Sequence, residues 1–145
     1  MYKRILLPLD LSNPESQAKA AKTAVDTARS FGGRLYPVTV IPDYGLAKLI
    51  GAYFPEGFEK TAETNLGAAL ESFAAEHVPA GLTARRFVAQ GTIYQEILKV
   101  AEHIKADLIV MASHRPELQD YLLGPNAARV VRHAKCSVFI VREDA

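Results

Sequence analysis

Acidic and hydroxyl-bearing residues follow two apolar runs of the sequence, and side chains of these types can bind a small polar ligand. Asp10 comes directly after the run at residues 5–9. Its carboxylate could accept a hydrogen bond from a ligand hydroxyl or hold a hydrated cation. The alternative is a turn residue whose carboxylate satisfies nearby backbone N–H groups. The sequence leaves both interpretations of Asp10 open.

A second pair of candidate residues, Ser113 and Arg115, follows the apolar run at residues 108–112. The serine hydroxyl could donate to an anion, and the planar guanidinium could pair with a phosphate. The alternative for both residues is a solvated surface loop. They are therefore candidates for an anion site that the sequence alone does not decide.

A third candidate is the segment Gly124-Pro125-Asn126-Ala127, in which a glycine leads directly into a predicted helix. The free N–H groups and the positive dipole end of a helix N-terminus favour an anion. Gly followed by Pro is equally suitable for a plain helix start. The segment is a possible phosphate site with a purely structural alternative.

Common catalytic and phosphate-binding motifs are absent from the sequence. It contains no GxxxxGKS/T, GxGxxG, GxSxG or HExxH pattern. No lysine follows a glycine-rich loop, and no evident base or metal cluster is present. These absences argue against an efficient enzyme. We therefore assign no catalytic residue and no metal-ligating residue.

The elements that must position the candidate residues alternate along the chain. Apolar runs predict five strands, at residues 3–10, 34–41, 83–89, 107–112 and 137–142. Helical spacing predicts four helices between them, at residues 12–31, 58–77, 92–104 and 124–133. Capping boxes are predicted at Ser12 with Glu15 and at Thr92 with Gln95, and Gly32-Gly33 is predicted to end the first helix. Residues 42–57 are predicted to form a loop with one helical turn near residues 46–50.

This alternation predicts an α/β fold, a parallel sheet with helices on both faces. In such open sheets, ligands bind at the carboxyl ends of the strands, where the strand order reverses. The segments to consider are therefore residues 8–10, 40–42 and 111–115.

Composition narrows the class of protein. The 145 residues suit one domain, residues 1–145, and a hydrophobic fraction of 49% supplies its core. The net charge of +1 argues against a nucleic-acid partner, and no apolar run approaches the roughly 18 residues of a membrane span. The start of the chain has no signal-peptide pattern, so we expect a soluble cytoplasmic protein. The single Cys136 excludes an internal disulfide and is interpreted as a small apolar structural residue.

Several segments, in this order and spacing, carry a resemblance to a known family: ILLPLD at residues 5–10, VTVI at 38–41, ADLIVMASH at 106–114 and LLGPNAARVV at 122–131. The chain resembles the universal stress protein family over essentially its whole length, and most closely the small bacterial F/G-type members. The resemblance implies a five-stranded parallel sheet of strand order 3-2-1-4-5 in a three-layer sandwich. It also implies a homodimer, formed through the strand from Ser137 to Arg142, and an unidentified protein partner.

Many members of this family bind ATP through a Gly-x2-Gly-x9-Gly-Ser/Thr motif, from which this sequence departs. Ala112 and Arg115 stand where the first two glycines are expected, and eight residues separate Arg115 from Gly124. Pro125 replaces the hydroxyl residue, which removes a hydroxyl and a backbone N–H. The N–H groups of Asn126 and Ala127 remain available for a phosphate.

The resemblance implies a stress-response or regulatory module that binds ATP, ADP or AMP, with or without magnesium. Pro8, Leu9 and Asp10 would flank the adenosine, with Asp10 near the ribose, and Val40 would contact the adenine. The path of the ribose and phosphates would be lined by Met111, Ala112, Ser113 and Arg115. The phosphates would face Gly124, Pro125, Asn126 and Ala127. The alternatives are a dimeric interaction protein of the same fold without a nucleotide, and a weak ATPase or adenylyl-transfer enzyme.

Overall fold

The computed structural model describes residues 1–42, 58–113 and 125–142. Strands and helices alternate along these residues: β1 (Arg4–Pro8), α1 (Ala18–Phe31), β2 (Arg34–Pro42), α2 (Phe58–His77), β3 (Phe87–Gly91), α3 (Ile93–Ile104), β4 (Leu108–Ala112), α4 (Pro125–His133) and β5 (Ser137–Val141). A 3-10 turn, Pro14–Gln17, leads into α1. The helical turn predicted near residues 46–50 lies outside the described residues, as do residues 114–124.

All five strands form one parallel sheet of order β3-β2-β1-β4-β5. The predicted fold and strand order are therefore confirmed. The central strand, β1, pairs Ile5 with Leu35 of β2 on one side and with Leu108 of β4 on the other. The chain moves from β1 to β2 and β3 on one side of the sheet and then crosses to β4 and β5 on the other. The strand order thus reverses between β1 and β4.

Two apolar clusters lie on opposite faces of the sheet, because side chains alternate along a strand. In β1, Ile5 and Leu7 pack toward α1 and α2, whereas Leu6 packs toward α3 and α4. All three side chains have no exposed surface. The small α1 residues Ala21, Ala24 and Ala28 are also fully buried and let that helix lie close to the sheet.

Both predicted capping boxes are wrong. Asn13, and not Ser12, is the N-cap residue of the 3-10 turn, and its side chain makes no capping hydrogen bond. The Ser12 hydroxyl instead donates to the carboxylate of Asp10. Thr92 is the N-cap of α3 but makes no capping bond, and the Gln95 amide donates to the Tyr94 hydroxyl. Neighbouring side chains compete for these hydroxyl and amide groups, so the sequence pattern alone does not decide their hydrogen-bond partners.

The end of α1 follows the prediction, and the third strand departs from it. Gly32 ends α1 in the left-handed conformation, with φ of 67°. Strand β3 begins at Phe87, and Thr83 makes only an isolated bridge to Leu35. The predicted start at residue 83 is therefore too early. Arg85 lies outside the ladder, with its guanidinium 4.7 Å from the ring centre of Phe87.

Cys136 is half-buried against the cluster on the α3 and α4 side of the sheet. Burial raises the pKa of its thiol, and the negative charge of Asp107 raises it further. A raised pKa keeps the thiol protonated, which suits a small apolar packing role. Among the described helices, none is both long and apolar enough to span a membrane.

The amino ends of β1 and β4 are joined by one carboxylate. Asp107 accepts hydrogen bonds from the backbone N–H groups of Lys3, at 2.9 and 3.1 Å, and of Arg4, at 3.1 Å. The Asp107 N–H in turn donates to the Arg4 carbonyl at 3.0 Å. This side chain therefore extends the pairing of the two central strands past their last ladder bond.

We expect Asp107→Ala to lower the free energy of unfolding by about 1–3 kcal/mol, since it leaves two strand-end N–H groups without their charged acceptor. Urea unfolding measures the change. Asp26→Ala is the matched control, because it removes an exposed i,i+4 ion pair of 2.6 Å with Lys22. Such pairs contribute about 0.3–0.5 kcal/mol. Equal effects of the two substitutions would contradict the role given to Asp107.

Candidate functional site

The carboxyl ends of β2, β1 and β4 lie side by side in the sheet and carry most of the predicted site residues. Pro8 of β1 pairs with Val38 of β2, and the pairing of β1 with β4 ends at Leu6 and Ile109. Extending both registers places Asp10, Val40 and Ser113 at the same height. Beyond their last pair, β1 and β4 are free to separate, which is where an open sheet of this kind forms its crevice.

Asp10 is exposed at this edge. It also makes the backbone contacts expected of a turn residue, which was the alternative interpretation of this residue. Its Oδ1 accepts from the Ser12 N–H at 3.1 Å and from the Ser12 hydroxyl at 2.5 Å. The Asn13 N–H donates to the Asp10 carbonyl at 3.3 Å. A carboxylate has about four acceptor positions. The turn role therefore orients the carboxylate and leaves it capacity to bind a ligand donor.

Two buried polar side chains hold the backbone at Asp10. The Thr39 hydroxyl, on β2, donates to the Leu9 carbonyl at 3.0 Å. The Asp10 N–H donates to Oε1 of Gln17 at 3.1 Å. Thr39 is 3% exposed and Gln17 is 6% exposed. The segment after β1 is thus bonded on one side to β2 and on the other to the turn that precedes α1.

Buried polar residues in the described part of the chain are concentrated at this one edge: they are Gln17, Thr39 and Ser113. Burying a polar group is unfavourable unless it is hydrogen-bonded, so apolar residues would be the less demanding choice for packing alone. The clustering of these three buried polar residues distinguishes the carboxyl edge from the rest of the described core.

Ser113 continues the pairing of β4 with β5 by one residue. The two residues before it, Met111 and Ala112, are at least half-buried. Its N–H donates to the Val141 carbonyl at 3.0 Å. Met111 is buried in the cluster on the α3 and α4 side, and Ala112 is half-buried. Val40 is half-buried on the same face of the sheet. Pro8 and Leu9 are buried at the same end of the sheet, and Leu9 packs in the cluster on the opposite, α1 and α2 side.

Helix α4 begins at Pro125, which is exposed, followed by the half-buried Asn126 and the buried Ala127. The first N–H groups of a helix lack intrahelical partners, and Pro125 contributes none. The N–H groups of Asn126 and Ala127 are the first available donors. Arg115 and Gly124 lie outside the described residues.

An aromatic residue of α3 anchors α4. The Arg129 guanidinium lies 5.1 Å from the ring centre of Tyr94, and the His133 ring stacks on the same tyrosine at 6.2 Å. A salt bridge of 2.8 Å joins Lys135 to Glu102 just beyond α4. Hydrogen bonding and the charge of Lys135 lower the pKa of Glu102. These contacts hold α4 against α3.

Sequence reasoning missed Gln17 and Thr39. A signal for Thr39 was present, since it is a polar residue between Val38 and Val40 in a buried strand. Gln17 gave little signal, because glutamine is common on exposed helix faces. Within the described residues, no group of three or more His, Cys, Asp or Glu side chains could hold a metal ion.

Comparison with known proteins identifies the family. The sequence model of the Universal stress protein family matches residues 1–142. Universal stress protein G of Shigella flexneri is 30% identical over 147 aligned residues, which cover 98% of this chain and all of the relative.

Solved structures share the fold. The universal stress protein UspA from Lactobacillus plantarum has a TM-score of 0.65 at 22% identity and covers 97% of this chain, with 98% of its own length matched. A universal stress protein in complex with cAMP has a TM-score of 0.60 at 22% identity, covering 99% of this chain and 98% of its own. The match of the family model over nearly the whole length, together with the sheet order and the sequence relatives, shows that the chain belongs to the universal stress protein family.

Proposed function

We propose that this protein is a stress-response or regulatory module that binds an adenine nucleotide at the carboxyl ends of β1, β2 and β4. The concentration of buried, hydrogen-bonded polar side chains around the exposed carboxylate of Asp10 carries the proposal. The fold neighbour in complex with cAMP supports an adenine nucleotide as the ligand class.

Each part of the edge suits one part of such a ligand. The Asp10 carboxylate accepts hydrogen bonds, and the two ribose hydroxyls donate them. Val40 supplies apolar contact for the base, and Met111, Ala112 and Ser113 lie along the path of the ribose and phosphates, with Arg115 assigned there by family resemblance. The N–H groups of Asn126 and Ala127 are the donors for phosphate oxygens.

Pro125 shifts the balance of affinity toward the adenosine end. A hydrogen bond to a charged group contributes about 1.5–3 kcal/mol. Loss of one or both of the N–H and hydroxyl donors at this position therefore weakens phosphate binding by roughly ten-fold to several hundred-fold or more. ATP, ADP and AMP are then expected to bind with similar affinities.

We further propose that the protein binds nucleotide without efficient turnover and acts in the cytoplasm. The lack of a lysine after a glycine-rich loop supports binding over phosphoryl transfer. A magnesium ion, where present, would be held mainly by the nucleotide phosphates, because the described residues offer no cluster of metal ligands.

The proposed partner is a second copy of the chain, paired through β5. This strand lies at one edge of the sheet, and Phe139 is 37% exposed there. Its ring centre lies 6.0 Å from that of Tyr2, which also contacts the exposed Phe31 at 5.3 Å. The opposite edge strand, β3, is preceded by the exposed Arg85 and Arg86, and charges of this kind discourage pairing.

This open edge also favours the second candidate function, a dimeric interaction protein of the same fold that binds no nucleotide. Nucleotide retained by the freshly purified protein, identified by mass spectrometry, separates the two functions.

Asp10→Ala is expected to weaken AMP, ADP and ATP by similar factors of roughly ten-fold or more, because the ribose is common to all three. Isothermal titration calorimetry at one salt and magnesium concentration measures the three affinities. Asp26→Ala, an exposed carboxylate on α1, serves as the control and should bind as the wild type does.

Losses of affinity that grow with the number of phosphates on the nucleotide would instead place Asp10 beside a bound cation. Unchanged affinities for all three nucleotides would leave Asp10 as a turn residue only.

Pro125→Ser is expected to tighten ATP more than AMP, since it restores an N–H and a hydroxyl at the first residue of α4. The measured quantity is the ratio of ATP affinity to AMP affinity in wild type and variant. Pro125→Ala restores the N–H alone and should raise the ratio less. An unchanged ratio in both variants would show that residues 124–127 do not hold the phosphates.

Light scattering at micromolar concentration is expected to give about twice the chain mass of 15.8 kDa. Phe139→Lys should shift the protein toward the monomer, because a charge on an edge strand opposes strand pairing. Val131→Lys is the control, since Val131 is 45% exposed on α4, on the other face of the sheet. A monomeric wild type, or equal effects of both variants, would contradict pairing through β5.

A further inference from the structure

We propose that Thr39 and Gln17 are positioning residues that fix the Asp10 carboxylate for the ligand without touching the ligand themselves. The inference rests on the proposed nucleotide site. It assigns that site two residues that are neither part of the nucleotide motif nor among the site residues that the family resemblance implies.

Thr39 bonds the segment after β1 to β2. The Leu9 N–H donates to the Val38 carbonyl at 2.8 Å, and the Leu9 carbonyl accepts from the Thr39 hydroxyl at 3.0 Å. Leu9 is therefore bonded through both of its peptide groups to consecutive residues of one strand. The hydroxyl supplies the second bond where the ladder of β1 has ended, so the backbone just before Asp10 has one position relative to β2.

Gln17 holds the other side of Asp10. Its Oε1 accepts from the Asp10 N–H at 3.1 Å, and its Nε2 donates to the Ser16 hydroxyl at 2.7 Å. The Ser16 hydroxyl donates to the Asn13 carbonyl at 2.7 Å. The contact with Ser16 uses the amide nitrogen, and this orients the amide with its oxygen toward Asp10.

The bond from Thr39 holds the Leu9 carbonyl, and the bond to Gln17 holds the Asp10 N–H. Both atoms belong to the peptide group that joins Leu9 to Asp10. The side chain then has its remaining freedom limited by Ser12, which donates twice to Oδ1. Thr39 and Gln17 are buried, whereas Asp10 is exposed. Their effect on a ligand is therefore indirect, and Asp10 is the exposed group that both of them hold. Preorganisation of this kind raises affinity by reducing the ordering that binding requires.

Isosteric variants test the two residues. Thr39→Val and Gln17→Met keep the volume and remove the hydrogen-bonding group, and we expect each to weaken AMP by about three- to ten-fold, the effect of one neutral hydrogen bond. Thr39→Ser keeps the hydroxyl, and we expect it to bind AMP within about two-fold of the wild type. Calorimetry with AMP is the measurement, and urea unfolding verifies that each variant is folded at the assay temperature.

A double-mutant cycle separates positioning from a general structural effect. In the Asp10→Ala background, Thr39→Val and Gln17→Met are expected to change AMP affinity by less than about two-fold, since the group they position is gone. Losses of the same size with and without Asp10 would overturn the inference. Should Thr39→Val not fold, Gln17→Met completes the same cycle.

The outcomes also distinguish this inference from the proposed function. A wild type that binds no adenine nucleotide overturns the nucleotide site and this role with it. A wild type that binds AMP, an Asp10→Ala variant that binds AMP more weakly, and isosteric variants that bind as the wild type does would overturn the positioning role alone. Hydrogen exchange adds a ligand-free check: the Asp10 amide should exchange faster in Gln17→Met than in the wild type.

Discussion

The central strand, β1, is the constraint on which the rest of the molecule depends. It is paired on both edges and buried on both faces, with Ile5, Leu6 and Leu7 fully inaccessible. A strand enclosed in this way can present functional groups only from its ends. The segment at its carboxyl end, from Pro8 to Asp10, is therefore placed by the two neighbouring strands and by the packing on both faces of the sheet.

The two ends of β1 use carboxylates in opposite ways. At the amino end, the Asp107 side chain bonds the backbone of Lys3 and Arg4 and so joins two strands of the chain itself. At the carboxyl end, Asp10 is exposed and is held by Thr39, Gln17 and Ser12 from behind. Only the second arrangement presents a fixed, exposed carboxylate to solvent. The physical difference between the ends is that strand-end N–H groups bond both carboxylate oxygens of Asp107, whereas Ser12 bonds only Oδ1 of Asp10.

The proposed ligand interactions divide along the same line. The adenosine end rests on Asp10 and Val40, which are carried by the rigid central strands. The phosphate end rests on the N-terminus of α4, whose position depends on the contacts of Arg129 and His133 with Tyr94 of α3. With Pro125 at the first helical position, the N-terminus of α4 offers one backbone N–H fewer than a helix that begins with another residue. In the proposed site, recognition would therefore be weighted toward the nucleoside rather than toward the number of phosphates.

Much of the architecture was determined by the sequence itself. Continuous apolar runs such as residues 108–112 and the helical spacing of small and aliphatic residues predicted the alternation, and the confirmed strand order followed from family resemblance. The carboxyl edge, with Asp10, Val40 and Ser113, was also predicted, because parallel strands bring their ends to one edge. Local hydrogen-bond partners were not: Ser12 and Gln95 fitted capping boxes yet bond Asp10 and Tyr94.

What only the tertiary structure decided is which side chains support the site. Thr39 and Gln17 are 22 residues apart in the sequence and meet Leu9 and Asp10 through the pairing of β2 with β1 and through the turn before α1. The start of β3 at Phe87 likewise depends on where β2 offers partners, since Thr83 reaches Leu35 but the residues after it leave the ladder. A sequence pattern shows which residues are apolar and at what spacing apolar residues recur along the chain. The partner of a buried polar group depends on which strands and turns the fold brings together. The local sequence around the group does not contain that information.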